Sequence, residues 1–366
     1  MNHKPRVAWI LCSNRWNSAI TEYALSSARA LRLLGWEVHY SALAGSPGEQ
    51  RARQYELPGE PFASFGPLDI FKLRRIARRL KPTVVLLFGG PETFLARLLP
   101  GMRRIRFRGQ DKDLHGPLPA LAQRLSMSHC QGLLLPALAL EERFADFSNK
   151  STRTIPLGVD EEKFHFHPGL LAGTGRPTLT MVGRLDPIKG HHFLFAMFQH
   201  VLERWPDKRP RPFLEVIGQA ANISEAQLRL MAQQHQLTEG ADWCLRAERV
   251  ADIGEAMSRT HLGMICSLGS EVICRVAEEF LLCGTPIMVS GAGALEEALV
   301  DKSFGASYLG LDEDEAAHLL ADQLWLAFQE DDNQRQSRAQ LAKSLYSLRR
   351  MGVLLQQYIE DLGREN

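Results

Sequence analysis

The chain alternates short, almost wholly apolar runs with longer stretches whose apolar residues recur every three or four positions. RVAWILC, with its apolar run at 7–12, is followed by a polar turn, SNRWNS, and then by AITEYALSSARALRLLG, which keeps helical spacing and stops at Gly35. WEVHYSAL (36–43) reads as a second strand, completing one βαβ unit. IFKLRRIARRLK leading into PTVVLLFGG repeats the pattern, a helix feeding a strand of the kind a parallel sheet buries on both faces. RRIRFRG and GLLLPA (132–137) supply further candidate strands. A Pro- and Gly-rich crossing over 154–177 interrupts the periodicity. The alternation then restarts with TLTMVG (178–183), a helix over 190–204, FLEVIG (213–218), a helix over 224–236, HLGMICS (261–267), a helix over 272–283 and PIMVS (286–290). The last periodic segment is an amphipathic helix, SLRRMGVLLQQYIEDL (347–362).

This pattern predicts an α/β protein of two doubly wound, Rossmann-like domains facing a central cleft. The expected division is residues 1–168, residues 169–346, and a C-terminal helix over 347–366 packing back on the first domain. A chain of 366 residues is too long for one ordinary core, which agrees. Ligands of open parallel sheets bind at the carboxyl ends of the strands, so the chemistry is expected in the turns that lead into helices.

Composition and charge change the picture in two ways. With 45% hydrophobic and 23% charged residues and a mean hydropathy of -0.18, the core is ample, and the longest apolar runs fall far short of the ~20 residues a membrane-spanning helix needs. The N-terminus reads as a first strand and a poor signal peptide, so the cytoplasm is the expected compartment. The six cysteines form no CxxC pair, which points to small buried hydrophobes and away from a disulfide framework or zinc site. Charge, by contrast, is unevenly spread: 24 Lys and Arg face 15 Asp and Glu in residues 1–168, and 19 face 27 in residues 169–366. A basic first half, with KLRRIARRLK (72–81) and RRIRFR (103–108), would attract an anionic acceptor or an anionic lipid surface. The segment 72–81 reads equally as an amphipathic helix with a solvated basic face. Sparse aromatic interleaving disfavours nucleic acid.

Two segments carry candidate chemistry. TLTMVGRLDPIKG (178–190) is a strand, a turn bearing Arg184 and Lys189, and a helix start. A guanidinium forks onto phosphate oxygens and an ammonium serves as a mobile point charge, so the pair suits a diphosphate; two exposed surface cations is the bland alternative. SEVICRVAEEFLLCGTP (270–286) carries Glu271 and Glu279 eight apart in an otherwise apolar stretch. On a helix they stand roughly 12 Å apart along the axis and within about 80° of each other. That suits two ends of an extended ligand and is too long for an acid and base acting on one bond, which want carboxylates roughly 5 to 10 Å apart. The amides between them open a helix, where a diphosphate would be stabilised. A helix-favouring Glu271 and a solvated Glu279 remain the alternative on these residues alone.

These residues resemble the retaining, nucleotide-sugar-dependent glycosyltransferases of family four, which have the GT-B fold. The E-x7-E motif corresponds to Glu271 and Glu279, followed by CGTP; GRLDPIKG resembles G-R-L-x-x-x-K-G; IPLGVDEEKF (155–164) resembles the interdomain I-P-N-G-V-D-x-x-x-F; and GAGALEEALVD (291–301) resembles the Gly-rich segment ending in an acid. The resemblance covers about 155–301 in the right order. It implies that Gly183, Arg184 and Lys189 hold the donor diphosphate, that Glu279 binds the nucleotide ribose, and that Glu271 contacts the donor sugar, with a metal-independent reaction that retains configuration. Catalytic roles fall on Glu271, Arg184 and Lys189. LRAERVAD (245–252) lies where base contacts are expected, without naming a base; a UDP-linked donor is expected.

The chain departs from the family after the first Glu, where Gly, an aromatic and Gly are replaced by Val272, Ile273 and Cys274, with Arg275 as an added cation that could answer a phosphate or a carboxylate-bearing sugar. The Gly-rich loop after the first strand is replaced by SNRWNSA (13–19), and the place of a sugar-contacting His falls near Arg108. Asn14, Arg15, Asn17, Gly90 and Arg108 are the acceptor-binding candidates, each also readable as a turn or surface residue. Asp111-Lys112-Asp113 has the spacing of a metal-binding DxD but follows a basic segment and no buried strand, so no metal is expected there, and His115 reads as a loop histidine.

The expected function is transfer of a sugar from a nucleotide donor to an anionic, cell-envelope or lipopolysaccharide-type glycan. No cofactor is expected beyond the nucleotide-sugar substrate, and peripheral contact with an anionic membrane is a further expectation. A nucleotide-sugar epimerase on the same fold and a non-catalytic nucleotide-sugar-binding protein are the alternatives.

Overall fold

The computed structural model describes residues 6–99, 101–109, 125, 127–147, 151–171, 175–247, 250, 252–269 and 275–364. The chain divides into two compact units, Met1–Gly158 together with Tyr346–Asn366, and Val159–Leu345.

In the first unit the order is β1 (Val7–Cys12), α1 (Ala19–Leu33), β2 (Glu37–Ala42), α2 (Pro47–Gln54), α3 (Asp69–Leu80), β3 (Val84–Leu87), α4 (Gly90–Ala96), β4 (Arg103–Phe107), β5 (Gly132–Leu135) and β6 (Ser151–Thr154). The six strands form one parallel sheet, ordered β2-β1-β3-β4-β5-β6. β1 and β3 are buried along their whole length, which is why both read as unbroken apolar runs. On one face Trp9, Leu11, Val85 and Leu87 pack against Ile70, Leu73 and Ile76 of α3 and Leu95 of α4. Each such burial contributes about 1.5–3 kcal/mol.

The second unit runs β7 (Thr178–Val182), α5 (His191–Arg204), β8 (Phe213–Ile217), α6 (Glu225–Gln234), β9 (Trp243–Arg246), α7 (Ile253–Ser258), β10 (Leu262–Ile265), α8 (Arg275–Leu282), β11 (Ile287–Val289), β12 (Gly305–Ser307), α9 (Glu313–Phe328) and α10 (Asp332–Tyr346). Its parallel sheet is ordered β12-β11-β10-β7-β8-β9. The order reverses direction at β7 and β10, the switch point where doubly wound sheets hold ligands. Its core joins Leu179, Phe195, Phe198, Leu214, Trp243 and Met264.

The terminal helix α11 (Leu348–Arg364) belongs to the first unit and lies along α1. Leu348, Met351, Leu355, Tyr358, Ile359 and Leu362 face inward, and the Tyr358 hydroxyl donates to the Leu133 carbonyl at 3.2 Å. Trp36 Nε1 donates to Gln356 Oε1 at 3.1 Å.

The units divide after Gly158, where the sequence pattern had suggested 168. Residues 159–168 pack on the second unit: the Lys163 carbonyl lies against Gly254, the Phe166 ring against Gly284, and the His165 carbonyl accepts from the Ser258 hydroxyl at 3.1 Å. The sequence reading also passed over β6, β9 and β12. β6 (STRT) and β12 (GAS) are polar or small edge strands without an apolar run.

Among the described residues no helix is long and apolar enough to cross a membrane.

Candidate functional site

Of the expected donor residues, Gly183, Arg184 and Lys189 lie in the turn at the carboxyl end of β7, and Arg275 and Glu279 lie on α8, the helix that follows β10. β7 delivers Gly183, Arg184 and Asp186 to a turn, and Asp186 organises it: Oδ1 accepts from the Ile188 amide at 3.2 Å, while Oδ2 accepts from Asn222 Nδ2 at 2.9 Å and lies 3.2 Å from Arg184 Nε. The Lys189 stem runs over Gly183, 3.9 Å from where a Cβ would stand. Arg184 is more than half exposed, whereas Asp186 is buried. The turn therefore fixes the base of a cation whose head faces solvent.

Gly190 closes the turn at φ 75°, and a Cβ there would stand 2.0 Å from the Cys266 carbonyl oxygen. Only glycine allows that backbone approach and that φ together. The Leu268 amide donates to the Ile188 carbonyl at 2.8 Å. The Arg184–Lys189 turn is thus tied directly to the loop after β10 that leads toward α8. His191, buried beside it, has its pKa lowered chiefly by burial and so stays neutral near pH 7.

On α8, Arg275 Nε lies 2.8 Å from Glu279 Oε1, with the carboxylate almost fully buried and the guanidinium about half exposed. The segment between the two acids looked apolar, and Glu279 is indeed inside it, held by a cation one turn back. The alternative of a solvated Glu279 is excluded. Its neighbour Glu278, which the sequence reading missed, is also buried; its Oε2 has no hydrogen-bond partner. Burial first, then the charge of Glu279, raises the Glu278 pKa well above the usual carboxylate range, against the pull of Arg275. The two neighbours therefore sit in different surroundings: Glu279 has the Arg275 guanidinium beside it, while burial presses the Glu278 carboxyl toward its neutral form. Two adjacent acids in an otherwise apolar helix was the available signal. Glu271, Val272, Ile273 and Cys274 lie outside the described residues, as do Asp111, Lys112, Asp113 and His115.

In the first unit, Asn14, Arg15, Gly90 and Arg108 line one cavity of 380 Å³ at the carboxyl ends of β1, β3 and β4, together with Trp16 and Arg106. Asn17 is not among its lining residues. RRIRFR does not present the expected basic surface: Arg104 and Arg106 of β4, and Arg108 just beyond it, are all buried. Arg104 donates to the His129 carbonyl at 3.0 Å, Arg106 to the Leu87 carbonyl at 3.0 Å, and Arg108 lies 5.3 Å over the Phe144 ring. These arginines were legible as basic but not as inward-facing.

Below the cavity sits Glu92, fully buried, whose Oε1 accepts from the Ser13 amide at 2.9 Å and whose Oε2 has no partner. A Cβ on Gly89 would stand 2.1 Å from Ser13 Oγ and 2.7 Å from both Glu92 oxygens, so a larger residue here must displace that hydroxyl and carboxylate. Burial, followed by the Glu92 charge, pushes the Cys12 thiol up to about 12, and it stays a thiol.

A larger cavity of 620 Å³ lies along α9 and α10, lined by Gln323, Arg338 and Leu341 among others. Its guanidinium, Arg338, is already committed to Glu330 and to the Gly284 carbonyl, and it lies away from the strand ends, so no chemistry is assigned to it. Among the described residues no group of three or more His, Cys, Asp or Glu side chains could hold a metal ion.

A D-inositol 3-phosphate glycosyltransferase from Nocardiopsis dassonvillei is 30% identical over 190 residues, 47% of this chain and 43% of that protein. The chain thus spans less than half the length of the curated relative it matches. HepE from Anabaena, solved with UDP and glucose, superposes with a TM-score of 0.73 at 16% identity over 98% of this chain and all of that one. A glycosyltransferase from Rickettsia africae superposes with a TM-score of 0.78 at 11% identity over the whole of both chains. The fold is therefore GT-B, and residues 162–342 match the family described as glycosyl transferases group 1, whose domain makes up nearly all of the second unit.

Proposed function

We propose that this chain is a retaining glycosyltransferase that moves a sugar from a nucleotide-sugar donor, UDP-linked, to an anionic glycan of the cell-envelope or lipopolysaccharide type, at the cytoplasmic side of a membrane. The observation that carries the reading is the pairing of a fixed Arg184–Lys189 turn with the buried, charged Glu279, both within the glycosyl transferases group 1 match. Arg184 and Lys189 supply positive charge where a leaving diphosphate gathers negative charge, and Glu279 accepts from ribose hydroxyls. Such preorganised cations contribute most to the rate when charge develops, so the chemistry needs no metal in this reading. HepE was solved with UDP and glucose, which supports a UDP-linked donor.

The acceptor side rests on the 380 Å³ cavity, which Arg15, Arg106 and Arg108 line and which is large enough for a sugar bearing a phosphate or carboxylate. The Nocardiopsis relative is named for a phosphorylated acceptor, in keeping with that charge.

The test is a thermal-shift screen against UDP-, GDP-, ADP-, CMP- and dTDP-linked sugars, repeated with Glu279→Ala and Lys189→Ala. One nucleotide should raise the Tm of the wild type, and both variants should lose the shift. No shift with any donor, or unchanged variants, would overturn the assignment. Turnover of the donor sugar to an epimer without acceptor would replace it with an epimerase.

A further inference from the structure

We propose that α3 and α4 together form a docking surface for an anionic lipid bilayer. On α3, Phe71, Arg74 and Arg78 are spaced by three and four residues and share the exposed stripe opposite the buried Ile70, Leu73 and Ile76. On and just beyond α4, Phe94, Arg97 and Leu98 are exposed in the same way. The two faces adjoin, because the Arg74 guanidinium donates to the Leu98 carbonyl at 3.4 Å and both helices share one core cluster.

Phe71 is 70% and Phe94 62% exposed. A single exposed ring is unremarkable, but two rings and a leucine set among arginines combine the chemistries of an interfacial lipid contact: apolar groups that enter the headgroup boundary and guanidinium groups that pair with phosphates. Arg78 and Arg97 have no ion-pair partner among the described residues. The acids nearby are already engaged. Glu60 pairs with Arg75 at 3.0 Å and Arg79 at 2.8 Å, Asp69 accepts from the Gly66 amide at 2.9 Å, and Glu92 is buried. The patch therefore faces outward with uncompensated positive charge.

The surface is continuous with the cavity. α4 begins at Gly90 and Pro91, both of which line it, and Phe94 stands one turn farther along. A lipid-linked acceptor would thus enter the cavity from the plane of the bilayer. This deepens the acceptor reading above, while vesicle binding itself needs no sugar transfer.

The experiment is co-sedimentation of the full chain with vesicles of equal parts phosphatidylcholine and phosphatidylglycerol, and with phosphatidylcholine alone. The wild type should bind the anionic vesicles and release at about 1 M salt, where the Debye length falls to ~3 Å. Each arginine near such a surface adds about fivefold to partitioning, so R78E/R97E should weaken binding at least roughly twenty-five-fold. F71S/F94S should weaken binding to anionic vesicles at low salt, with every arginine still in place. Arg350→Glu, a single exposed reversal on α11, tests a charge reversal outside the patch and should retain most binding. Equal binding to neutral and anionic vesicles, or equal losses in R78E/R97E and Arg350→Glu, would overturn the proposal, as would binding only to a soluble acidic glycan. All variants should keep the wild-type Tm and its donor-induced shift, so that loss of docking and loss of the donor site are read separately.

Discussion

Arg275 and Glu279 stand one turn apart on α8 with 2.8 Å between Nε and Oε1, the carboxylate inside the protein and the guanidinium half in solvent. This pairing keeps a charged acid in an apolar helix at modest cost. Arg275→Met should destabilise the protein by about 1–3 kcal/mol, less than the full cost of stranding a buried charge because Arg275 is so exposed. R275M/E279Q should recover much of that stability but not the donor-induced Tm shift. A double variant that regained the shift would show that Glu279 has no part in donor binding.

Glu278 makes the opposite prediction for pH. Its folded pKa lies above the ordinary value near 4.5, so the folded state holds a proton that the unfolded chain releases. Stability from this group is fully present below pH ~4.5 and declines as pH rises through the folded value. Glu278→Gln should therefore be more stable than wild type at pH 8, by about 1–3 kcal/mol, and indistinguishable from it near pH 4. Thermal melts across that range give the comparison directly.

His261 acts on the acid side. It is buried, its Nδ1 accepts from the Thr178 amide at 3.0 Å, and burial with a smaller push from Arg335 lowers its pKa from 6.5 to about 4. The folded state must stay neutral there, so stability is lost as pH falls from about 6.5 to about 4. The loss should reach roughly 3 kcal/mol. His261→Phe should flatten that slope while lowering stability at pH 7, since the Thr178 amide loses its acceptor.

Gly89 tests the first-unit cavity. A Cβ there collides with Ser13 Oγ and both Glu92 oxygens, so Gly89→Ala must displace the Ser13 hydroxyl and the Glu92 carboxylate at the edge of the cavity. The cost should be about 1–3 kcal/mol. Acceptor KM should rise while the donor-induced Tm shift is unchanged; a KM that stays at the wild-type value would separate this cavity from the acceptor site.

The sheets were legible because their central strands are buried on both faces, leaving runs such as VVLL and LGMI that no amphipathic helix would show. Edge strands β6 and β12 lack that signature and passed unseen. The candidates the sequence reading named, Arg184, Lys189, Asn14, Arg15 and Gly90, lie in or beside the turns that follow strands. That reading missed residues whose role depends on what lies beneath them. Glu92 reads as an ordinary acid in the first turn of a helix, and Glu278 as a duplicate of Glu279. Only packing shows that both are sealed from solvent. The arginines of β4 illustrate the reverse error, since charge alone suggests a surface and the neighbouring carbonyl groups draw them inward.

The return of α11 to the first unit has a consequence for the order of events on the ribosome. β5 and β6 emerge early, yet Tyr358, which bonds the Leu133 carbonyl, is made only after the entire second unit. Until then α1 has a bare flank at Ala30 and Leu34, where Gly352 will lie. Completion of the first unit is thus deferred until α11 has followed the whole second unit out of the ribosome, and a nascent chain arrested before 348 would carry that unsealed seam into the cell.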